Sequence, residues 1–449
     1  MGAGQAGLAA GYYLKKSGLP FIILDSKSNV GDSWRQRWDS LELFTPRPFA
    51  ALPGLKVGKK YAYYPNKNEI ADYLERYADA NKLPIMANTE VLSITSLSAK
   101  YVVKTTDSQV VADQIIIATG PYNKAYIPDF ASELRPKVQQ LHSSQYKNPV
   151  LINKARVAIV GGGNSATQLA EELHAAGKEV TLISAQMPWF LPKTILGISS
   201  YWWFYLSGVL HAGANTWISK YVQKKGDGII GKNALKLIKN GSIKHVAARV
   251  TGAESAALKL GNGEAIAVDC VIWATGFTPN YEWLEIAGTL DAKGQPIHHE
   301  GISPVAGVYW VGLPWQTRMN SGIINGVGQD AKLIVNHIKY VKDQSKGLMV
   351  MDETKDKIKS GAVVLLDVRS EDEWRESHAF SALHIPLDDL AANCKTKISL
   401  NQQVYIYCAS GKRASVAKSL LDSAGYSTVN IGGLADWVRA GGDLDSPTE

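Results

Sequence analysis

The sequence predicts an α/β fold with two dinucleotide-binding domains and a smaller C-terminal α/β domain. Two glycine-rich loops, "GAGQAG" at residues 2–7 and "GGGNSA" at 161–166, are each followed by a helical run and a strand-like run. Near the C-terminus, "VYIYCASGKRASVAKSLL" joins an apolar strand, a cysteine-containing loop and a helix. Alternation of this kind is typical of parallel sheets covered by helices.

Composition narrows the functional classes. The chain has 449 residues, of which 45% are hydrophobic and 20% charged, as in a protein with substantial cores. Its net charge of +7 comes from scattered Lys and Arg, so we expect no nucleic-acid partner. The cysteines Cys270, Cys394 and Cys408 form no CxxC pair, which predicts no metal site, no disulfides and a cytoplasmic location. No signal peptide is expected.

An aromatic insert lies at about residues 195–218. "ILGISSYWWFYLSGVLHAGANTWI" contains no Asp, Glu, Lys or Arg and is long enough to cross a bilayer. Its Gly, Ser, Asn and His residues and its central aromatics argue against a transmembrane span. We expect a buried helical insert; the alternative is an aromatic surface that meets an apolar substrate or a membrane face.

The first loop has the pattern of a phosphate-binding turn. Its first glycine allows a tight turn, its second lets backbone approach a pyrophosphate, and its third permits close helix packing. The phosphate would lie on the free N–H groups at the start of the helix. The candidate cofactor-binding residues are Gly2, Gly4, Gln5, Ala6 and Gly7. Asp25, at the end of "FIILD", is placed to accept hydrogen bonds from an adenosine ribose.

The second loop follows the apolar strand "RVAIV" and predicts a second nucleotide, with Gly161, Gly163 and Ala166 in the three small-residue positions. The next strand, "EVTLIS", ends without an acid, which disfavours NAD and favours NADP. No Arg follows to meet a 2′-phosphate, and Lys193 is the available substitute.

Only Met1 precedes the first loop, where a buried strand is expected. Such a strand would satisfy the ladder groups of its neighbours and add a large apolar contact. We therefore expect either that the chain starts further upstream, or that it is a truncated form in which the first loop binds its cofactor more weakly.

Two strands end alike, in "QIIIATG" and "CVIWATGF". Residues 1 to about 340 resemble the flavin-containing monooxygenase superfamily, in particular its CzcO-like branch, with the plant YUCCA enzymes as more distant relatives. The resemblance rests on these two strands, on the two loops and on the segments "VGDSWRQRWDSLELFTPRPFAALPG", "HSSQY" and "VYWVGLPWQTRMNSGIINGVGQDA". The resemblance implies FAD at the first loop and NADPH at the second. It also implies that NADPH reduces FAD and that a flavin C4a-hydroperoxide transfers oxygen to a small-molecule substrate.

The resemblance adds site residues. Ser33 and Trp34 stand in the family's Gly-x-Trp segment beside the FAD phosphates, and Thr45 stands where animal relatives place a flavin-side Asn. Asn164 and Ser165 join the NADPH loop. The family signature FxGxxxHxxxY keeps its histidine and tyrosine, as His142 and Tyr146, but not its Phe and Gly. For His142, a structural role between domains is an equal alternative.

The cysteine loop has the features that stabilise a thiolate. Cys408 ends a strand, loop N–H groups and a helix N-terminus follow it, and Lys412 and Arg413 add positive charge. These features lower a thiol pKa and favour an anionic persulfide. For Cys270 and Cys394 we expect buried, unreactive thiols.

The last hundred residues resemble a rhodanese domain through "LLDVRSEDEW", "HIPL", the CASGKR loop and "GGLADWVRAGG". The resemblance implies sulfur transfer by Cys408 with Arg413, in a persulfide loop completed by Ala409, Ser410, Gly411 and Lys412. It also implies that the loop is braced by Asp367, Arg369 and Glu373.

The predicted domains are therefore 1–150 (FAD, first part), 151–280 (NAD(P)H), 281–340 (FAD, return segment), 341–352 (linker, or a surface helix) and 353–449 (rhodanese-like). The predicted function is an FAD- and NADPH-dependent monooxygenase fused to a sulfurtransferase, acting on a sulfur compound. One alternative is a persulfide or disulfide reductase fused to rhodanese, although no cysteine precedes Cys270. The other is a degenerate flavoprotein that serves as a binding platform.

Overall fold

Strands and helices alternate along most of the chain. The structure is a computed structural model and describes residues 1–226, 228–359, 362–439 and 442–445. Two compact units are present, Met1–His337 and Ile338–Glu449. Helices beginning in the first unit are α1 (Gln5–Lys16), α2 (Asp32–Arg35), α3 (Lys67–Ala80), α4 (Asn164–Ala175), α5 (Ser200–Leu206), α6 (Trp217–Lys225), α7 (Asn233–Lys239) and α8 (Val327–Lys359). The predicted linker, 341–352, lies inside α8 and is therefore helical.

The strands of the first unit include short pairs as well as long ladders. In chain order they are β1 (Ile23–Leu24), β2 (Ile85–Met86), β3 (Val91–Leu97), β4 (Lys100–Thr105), β5 (Gln109–Ala112), β6 (Ile115–Ile117), β7 (Lys124–Ala125), β8 (Gln139–His142), β9 (Arg156–Val160), β10 (Glu179–Ser184), β11 (Phe190–Leu191), β12 (Thr194–Ile195), β13 (Ile198–Ser199), β14 (Ile229–Ile230), β15 (Lys244–Ala247), β16 (Val250–Glu254), β17 (Ala257–Leu260), β18 (Ala265–Ala267), β19 (Cys270–Trp273), β20 (Phe277–Thr278), β21 (Leu284–Glu285) and β22 (Val308–Trp310).

A five-stranded sheet in the order β15-β10-β9-β19-β8 carries the second loop. All its pairings are parallel, with α4 as the crossover between β9 and β10. Val157 and Ile159 of β9 pack into one core, whereas Ala158 and Val160 pack into another on the opposite face. Both faces are thus buried, which explains why the strand is apolar throughout.

The first loop lies between two parallel strand pairs, β1-β2 and β22-β6. Gly2 N–H donates to Leu24 O of β1 at 2.7 Å, and Ala118 N–H donates to Met1 O at 2.9 Å. The terminal amine of Met1 donates to Ile116 O of β6 at 2.7 Å. Met1 and Gly2 thus join the two pairs by backbone hydrogen bonds and place the loop between them.

The aromatic insert is not the buried helical insert expected from its composition. It forms a hairpin (β12 and β13), the short helix α5, a 3₁₀ turn at Val209–His211 and the start of α6. Ser200 and Tyr201 are buried, whereas several of its largest apolar side chains are exposed to solvent. Within the described residues, no helix is both long and apolar enough to cross a bilayer.

The second unit is built on a four-stranded parallel sheet in the order β25-β23-β26-β27. Its strands are β23 (Val363–Asp367), β24 (His378–Ala379), β25 (Leu383–His384), β26 (Gln403–Cys408), β27 (Ser427–Gly433) and β28 (Leu444–Asp445). Its helices are α9 (Glu371–Glu376), α10 (Leu390–Lys397), α11 (Lys412–Ser423) and α12 (Leu434–Arg439). Val404 and Ile406 of β26 pack into one core and Tyr405 and Tyr407 into another.

The central position of β19 yields a stability prediction. Ile272 is completely buried between β9 and β8, whereas Val111 of β5 is 54% exposed. We expect Ile272→Ala to lower the free energy of unfolding of the first unit by about 2–5 kcal/mol, because a cavity remains. The control Val111→Ala should stay within about 0.5 kcal/mol. Urea unfolding followed by circular dichroism measures both, and equal losses would contradict this account of the core.

Candidate functional site

The first loop has a geometry that only glycine permits at two positions. Gly2 has φ +93°, and a Cβ added to Gly7 would lie 1.7 Å from Gly2 O. A Cβ on Gly4 would meet no atom within 4 Å, so that side of the loop is open. Helix α1 begins after Gly4 with no side-chain cap and no acid in its first turn. Its first N–H groups are therefore available to an anion.

Asp25 directly follows β1 and contacts the loop. Ala3 N–H donates to Asp25 Oδ2, and Lys27 N–H donates to Asp25 Oδ1 at 2.8 Å. The carboxylate predicted to meet a ribose is thus held beside the loop, and each oxygen keeps further acceptor capacity.

The Gly-x-Trp segment packs against α3. Gly31 has φ +90°, and a Cβ there would lie 2.7 Å from Ala71 O. Helix α2 follows, with Ser33 exposed and Trp34 half-buried. Arg35 bonds Glu75 at 2.6 Å, which attaches α2 to α3.

Thr45 is buried and contacts the aromatic insert. Its Oγ1 donates to the hydroxyl oxygen of Tyr201 at 3.1 Å. Burial raises the pKa of Tyr201 to about 12. The contact joins the proposed flavin-side residue to α5.

A polar cluster in the return segment was not predicted from the sequence. Gln5 Nε2 donates to Gly322 O at 3.2 Å, while its Oε1 is buried and has no partner among the described residues. Both amide atoms of the buried Asn320 likewise lack partners there. Asp330, in the first turn of α8, accepts from Thr317, and burial raises its pKa. Unpaired buried polar atoms beside α1 fit a site for a polar ligand. The only signal in the sequence was a run of polar residues among glycines.

The second loop repeats the geometry of the first. Gly161 has φ +142°, and a Cβ there would lie 2.2 Å from Ala274 O at the end of β19. Gly163 precedes α4, which has no side-chain cap and no acid in its first turn. Asn164 Oδ1 is buried without a partner among the described residues. Ser165 is half-buried, and Ala166 packs completely inside the core.

A cavity of about 420 Å³ opens at the carboxyl end of this sheet. Gly161 and Gly162 of the loop, Ser184 at the end of β10 and Thr275 after β19 line it. Ligands of doubly wound sheets bind at this edge, where neighbouring strands diverge. The cavity therefore fits the adenosine part of a dinucleotide.

Arg249 also lines this cavity, although no motif in the sequence points to it. It follows β15, the strand beside β10, and its guanidinium has no ion pair or hydrogen bond among the described residues. Ser184 Oγ lies 2.9 Å from His245 Nε2, and burial lowers the pKa of His245. Lys193, the substitute considered from the sequence, instead lies 3.7 Å from Glu42 Oε1 and over the ring of Tyr64.

His142 and Tyr146 are both buried. His142 Nε2 lies 2.9 Å from Gly276 O, and its Nδ1 lies 2.8 Å from Ser144 Oγ. Burial lowers the pKa of His142, which keeps the ring neutral at pH 7. The histidine therefore connects β8 to the turn that follows β19.

In the second unit, Cys408 ends β26 and the six-residue loop runs on to Arg413. Gly411 N–H donates to Cys408 Sγ at 3.1 Å. Gly411 has φ +83° and precedes α11, which has no side-chain cap and no acid in its first turn. A Cβ on Gly433 would lie 2.5 Å from Ala409 O, so the loop lies directly on the end of β27. The sulfur thus accepts a hydrogen bond from an N–H group at a helix N-terminus.

Two ion pairs support this loop. Glu373 accepts two hydrogen bonds from Arg413, at 2.6 and 2.7 Å, and the Arg413 guanidinium lowers the pKa of Glu373 to about 2. Asp367 and Arg369 form a buried pair at 2.7 Å, and Arg369 lies over the ring of Tyr407. Glu373 therefore contacts the loop itself, whereas Asp367 and Arg369 support the strand that precedes it.

Comparison with known proteins agrees with this geometry. The family model described as pyridine nucleotide-disulphide oxidoreductase matches residues 1–201, and the model of a rhodanese-like domain matches residues 350–440. The uncharacterized CzcO-like oxidoreductase of Geobacillus kaustophilus is 43% identical over 338 residues, which are 75% of this chain and 97% of that protein. The probable indole-3-pyruvate monooxygenase YUCCA1 of Arabidopsis thaliana is 27% identical over 77% of this chain and 91% of its own length.

Among solved structures, the flavin-containing monooxygenase from Stenotrophomonas maltophilia superposes with a TM-score of 0.64 at 27% identity. The match covers 76% of this chain and 97% of that chain. The chain therefore belongs to the CzcO-like oxidoreductases, an FAD- and NAD(P)H-dependent family with the flavin monooxygenase fold, and carries a rhodanese-like domain in its C-terminal part.

Proposed function

We propose that this chain is an NADPH- and FAD-dependent monooxygenase fused to a sulfurtransferase that works through Cys408. The proposal for the oxidoreductase rests on the cavity at the carboxyl end of the parallel sheet. The second loop and Arg249, whose guanidinium has no partner among the described residues, both line this cavity. A neighbouring loop of the same geometry, with Asp25 beside it, supplies the place for a second dinucleotide.

The residues of the first loop fit FAD. The free N–H groups at the start of α1 would bind its pyrophosphate, Gly4 would leave room for the phosphate, and Asp25 would accept hydrogen bonds from the ribose. Ser33, Trp34 and Thr45 complete the proposed set, together with the unpaired polar atoms of Gln5 and Asn320. When bound, FAD would accept hydride from NADPH and activate dioxygen by the C4a-hydroperoxide route that the family resemblance implies.

The residues of the second loop fit NADPH. Gly161, Gly163, Asn164 and Ser165 would hold the pyrophosphate at the start of α4. Arg249 would bind the 2′-phosphate, because it is a cation in this cavity with no carboxylate partner among the described residues. We therefore assign binding of the 2′-phosphate to Arg249 and not to Lys193, the residue predicted from the sequence.

In the second unit, the Cys408 thiolate would attack the outer sulfur of a donor such as thiosulfate. A bond forms between Cys408 Sγ and that sulfur while the sulfur–sulfur bond of thiosulfate breaks, and sulfite leaves with the electron pair. The persulfide anion that remains would lie against the N–H groups of Ala409, Ser410, Gly411 and Lys412. Arg413, held by Glu373, would supply positive charge to the donor.

The reductase alternative needs a redox-active cysteine beside the flavin. Cys270 is buried at the start of β19, and burial raises its thiol pKa to about 12, which suppresses the thiolate. The monooxygenase is therefore favoured. We further propose a sulfur compound as the substrate shared by the two halves, and a reducing, cytoplasmic setting that suits three free cysteines.

The flavin proposal predicts a yellow protein. The purified chain should show flavin absorbance, bleach when NADPH is added, and regain its colour in air. Gly4→Ala should keep the fold, since its Cβ meets nothing, but lose most of the flavin, whereas Gly7→Ala should also lose stability. A folded wild-type chain that stays colourless after incubation with FAD would favour the binding platform.

The NADPH proposal predicts that Arg249→Ala raises the KM for NADPH about 10- to 100-fold, the loss expected for hydrogen bonds to a charged group. The KM for NADH should change by less than about twofold, because NADH has no 2′-phosphate. Lys193→Ala is the matched control and should leave both constants within about twofold. Equal changes in the two constants for Arg249→Ala would rule out recognition of the 2′-phosphate.

The sulfur proposal predicts that Cys408→Ser reduces thiosulfate:cyanide sulfur transfer to background while NADPH oxidation without a sulfur donor continues unchanged. Cys394→Ala, which removes another buried thiol of this unit, should keep the transfer activity. Shared chemistry predicts that sulfide or thiosulfate alters NADPH consumption in the wild type. If sulfur donors change neither NADPH consumption nor the product, the two halves do not share a substrate.

A further inference from the structure

One stretch of this chain has a large net positive charge because it is nearly free of acids, although its Lys and Arg are only slightly denser than elsewhere. Residues 180–253 contain nine Lys or Arg and one acid, a formal charge of +8, whereas the whole chain carries +7. The remaining residues are therefore close to neutral, with a formal charge of −1. This stretch includes the aromatic insert and α6, whose role the proposed function does not explain.

A hairpin in this stretch presents a leucine to solvent. Strands β12 and β13 pair through Ile195 and Ile198 and leave Leu196 and Gly197 as a two-residue turn. Leu196 has φ +51°, a conformation in which Asn, Asp and Gly are usual, and it is 86% exposed. Neither local preference nor burial within the chain accounts for a leucine here.

Helix α5 extends this apolar surface. Trp203 Nε1 donates to Ile195 O at 3.3 Å, which attaches the helix to the hairpin. Leu206 at its end is 73% exposed.

Helix α6 carries aromatic and basic side chains on the same face. Trp217, Lys220, Tyr221 and Lys224 follow the spacing i, i+3, i+4, i+7 and are all exposed, whereas Ser219 is buried. Trp217 is 80% exposed and Tyr221 55%. Trp and Tyr are enriched at membrane interfaces, and a Lys beside them can extend its ammonium group to the headgroups.

We propose that these exposed side chains, namely Leu196, Trp203, Leu206, Trp217 and Tyr221 together with Lys220 and Lys224, form a surface that docks the protein on an anionic lipid bilayer. The apolar side chains enter the interface, and the lysines contact the acidic headgroups. A nucleic acid would match the charge alone, and a second, equally basic copy would repel this stretch. The bilayer is the partner that matches both the charge and the apolar side chains.

Vesicle flotation of the full chain tests this proposal. The wild type should float with phosphatidylcholine vesicles that contain phosphatidylglycerol, bind weakly to phosphatidylcholine alone, and dissociate at high salt. The paired change Leu196→Ser with Trp217→Ser, and separately Lys220→Gln with Lys224→Gln, should each lower partitioning by about tenfold or more.

Matched controls lie elsewhere on the chain. Val150→Ser with Leu151→Ser removes two exposed apolar side chains, and Lys395→Gln with Lys397→Gln removes two exposed lysines. Both should bind as the wild type does, and circular dichroism confirms that each variant folds.

Several outcomes would overturn the proposal: no flotation, equal binding to neutral and anionic vesicles, or equal losses in the controls. It would also fall if duplex DNA binds the chain in place of vesicles. Sedimentation velocity tests self-association. If the wild type does not bind vesicles but forms a dimer, and if the Leu196/Trp217 and Lys220/Lys224 variants do not dimerise, the surface serves self-association and the proposal is wrong.

Discussion

Close contact between glycine and neighbouring backbone is the constraint on which both nucleotide loops depend. At Gly7 the partner is the carbonyl of Gly2, and at Gly161 it is the carbonyl of Ala274. In each case a Cβ would overlap the oxygen, so only glycine allows α1 to approach the loop at Gly7 and the turn to approach the end of β19 at Gly161. The contact at Gly161 also joins the end of β9 to the end of β19, and residues from both ends line the cavity.

The three helices at the proposed sites begin differently from two helices of the supporting framework. Helices α3 and α9 each start with a capping box, formed by Asn66 with Glu69 and by Ser370 with Glu373, so their first N–H groups are satisfied within the chain. Helices α1, α4 and α11 follow glycine and have no side-chain cap and no acid in the first turn. At all three proposed sites these N–H groups would bind an anion, whether pyrophosphate or persulfide.

Glu373 shows how one side chain can serve both purposes. It caps its own helix and at the same time bonds Arg413 of the sulfur loop, and this pairing keeps the carboxylate ionised far into the acidic range. The framework of the second unit is in this way coupled directly to the loop that carries Cys408. Among the residues that the structure describes, no corresponding ion pair holds Arg249, and its guanidinium therefore suits an anionic ligand.

The sequence alone determined the features that depend on neighbouring residues: both glycine loops, the strands and helices around them, and the Cys408 loop. These are local because turn geometry and helix starts depend on a few consecutive residues. Only the tertiary structure decided which distant residues reach these loops. The parallel order of β15, β10 and β9 brings Arg249 to the cavity, and the hydrogen bond from Gln5 to Gly322 brings the return segment to α1. Only the tertiary structure likewise decided that large side chains of the aromatic insert are exposed. An apolar composition does not specify whether side chains pack against the rest of the chain or face solvent.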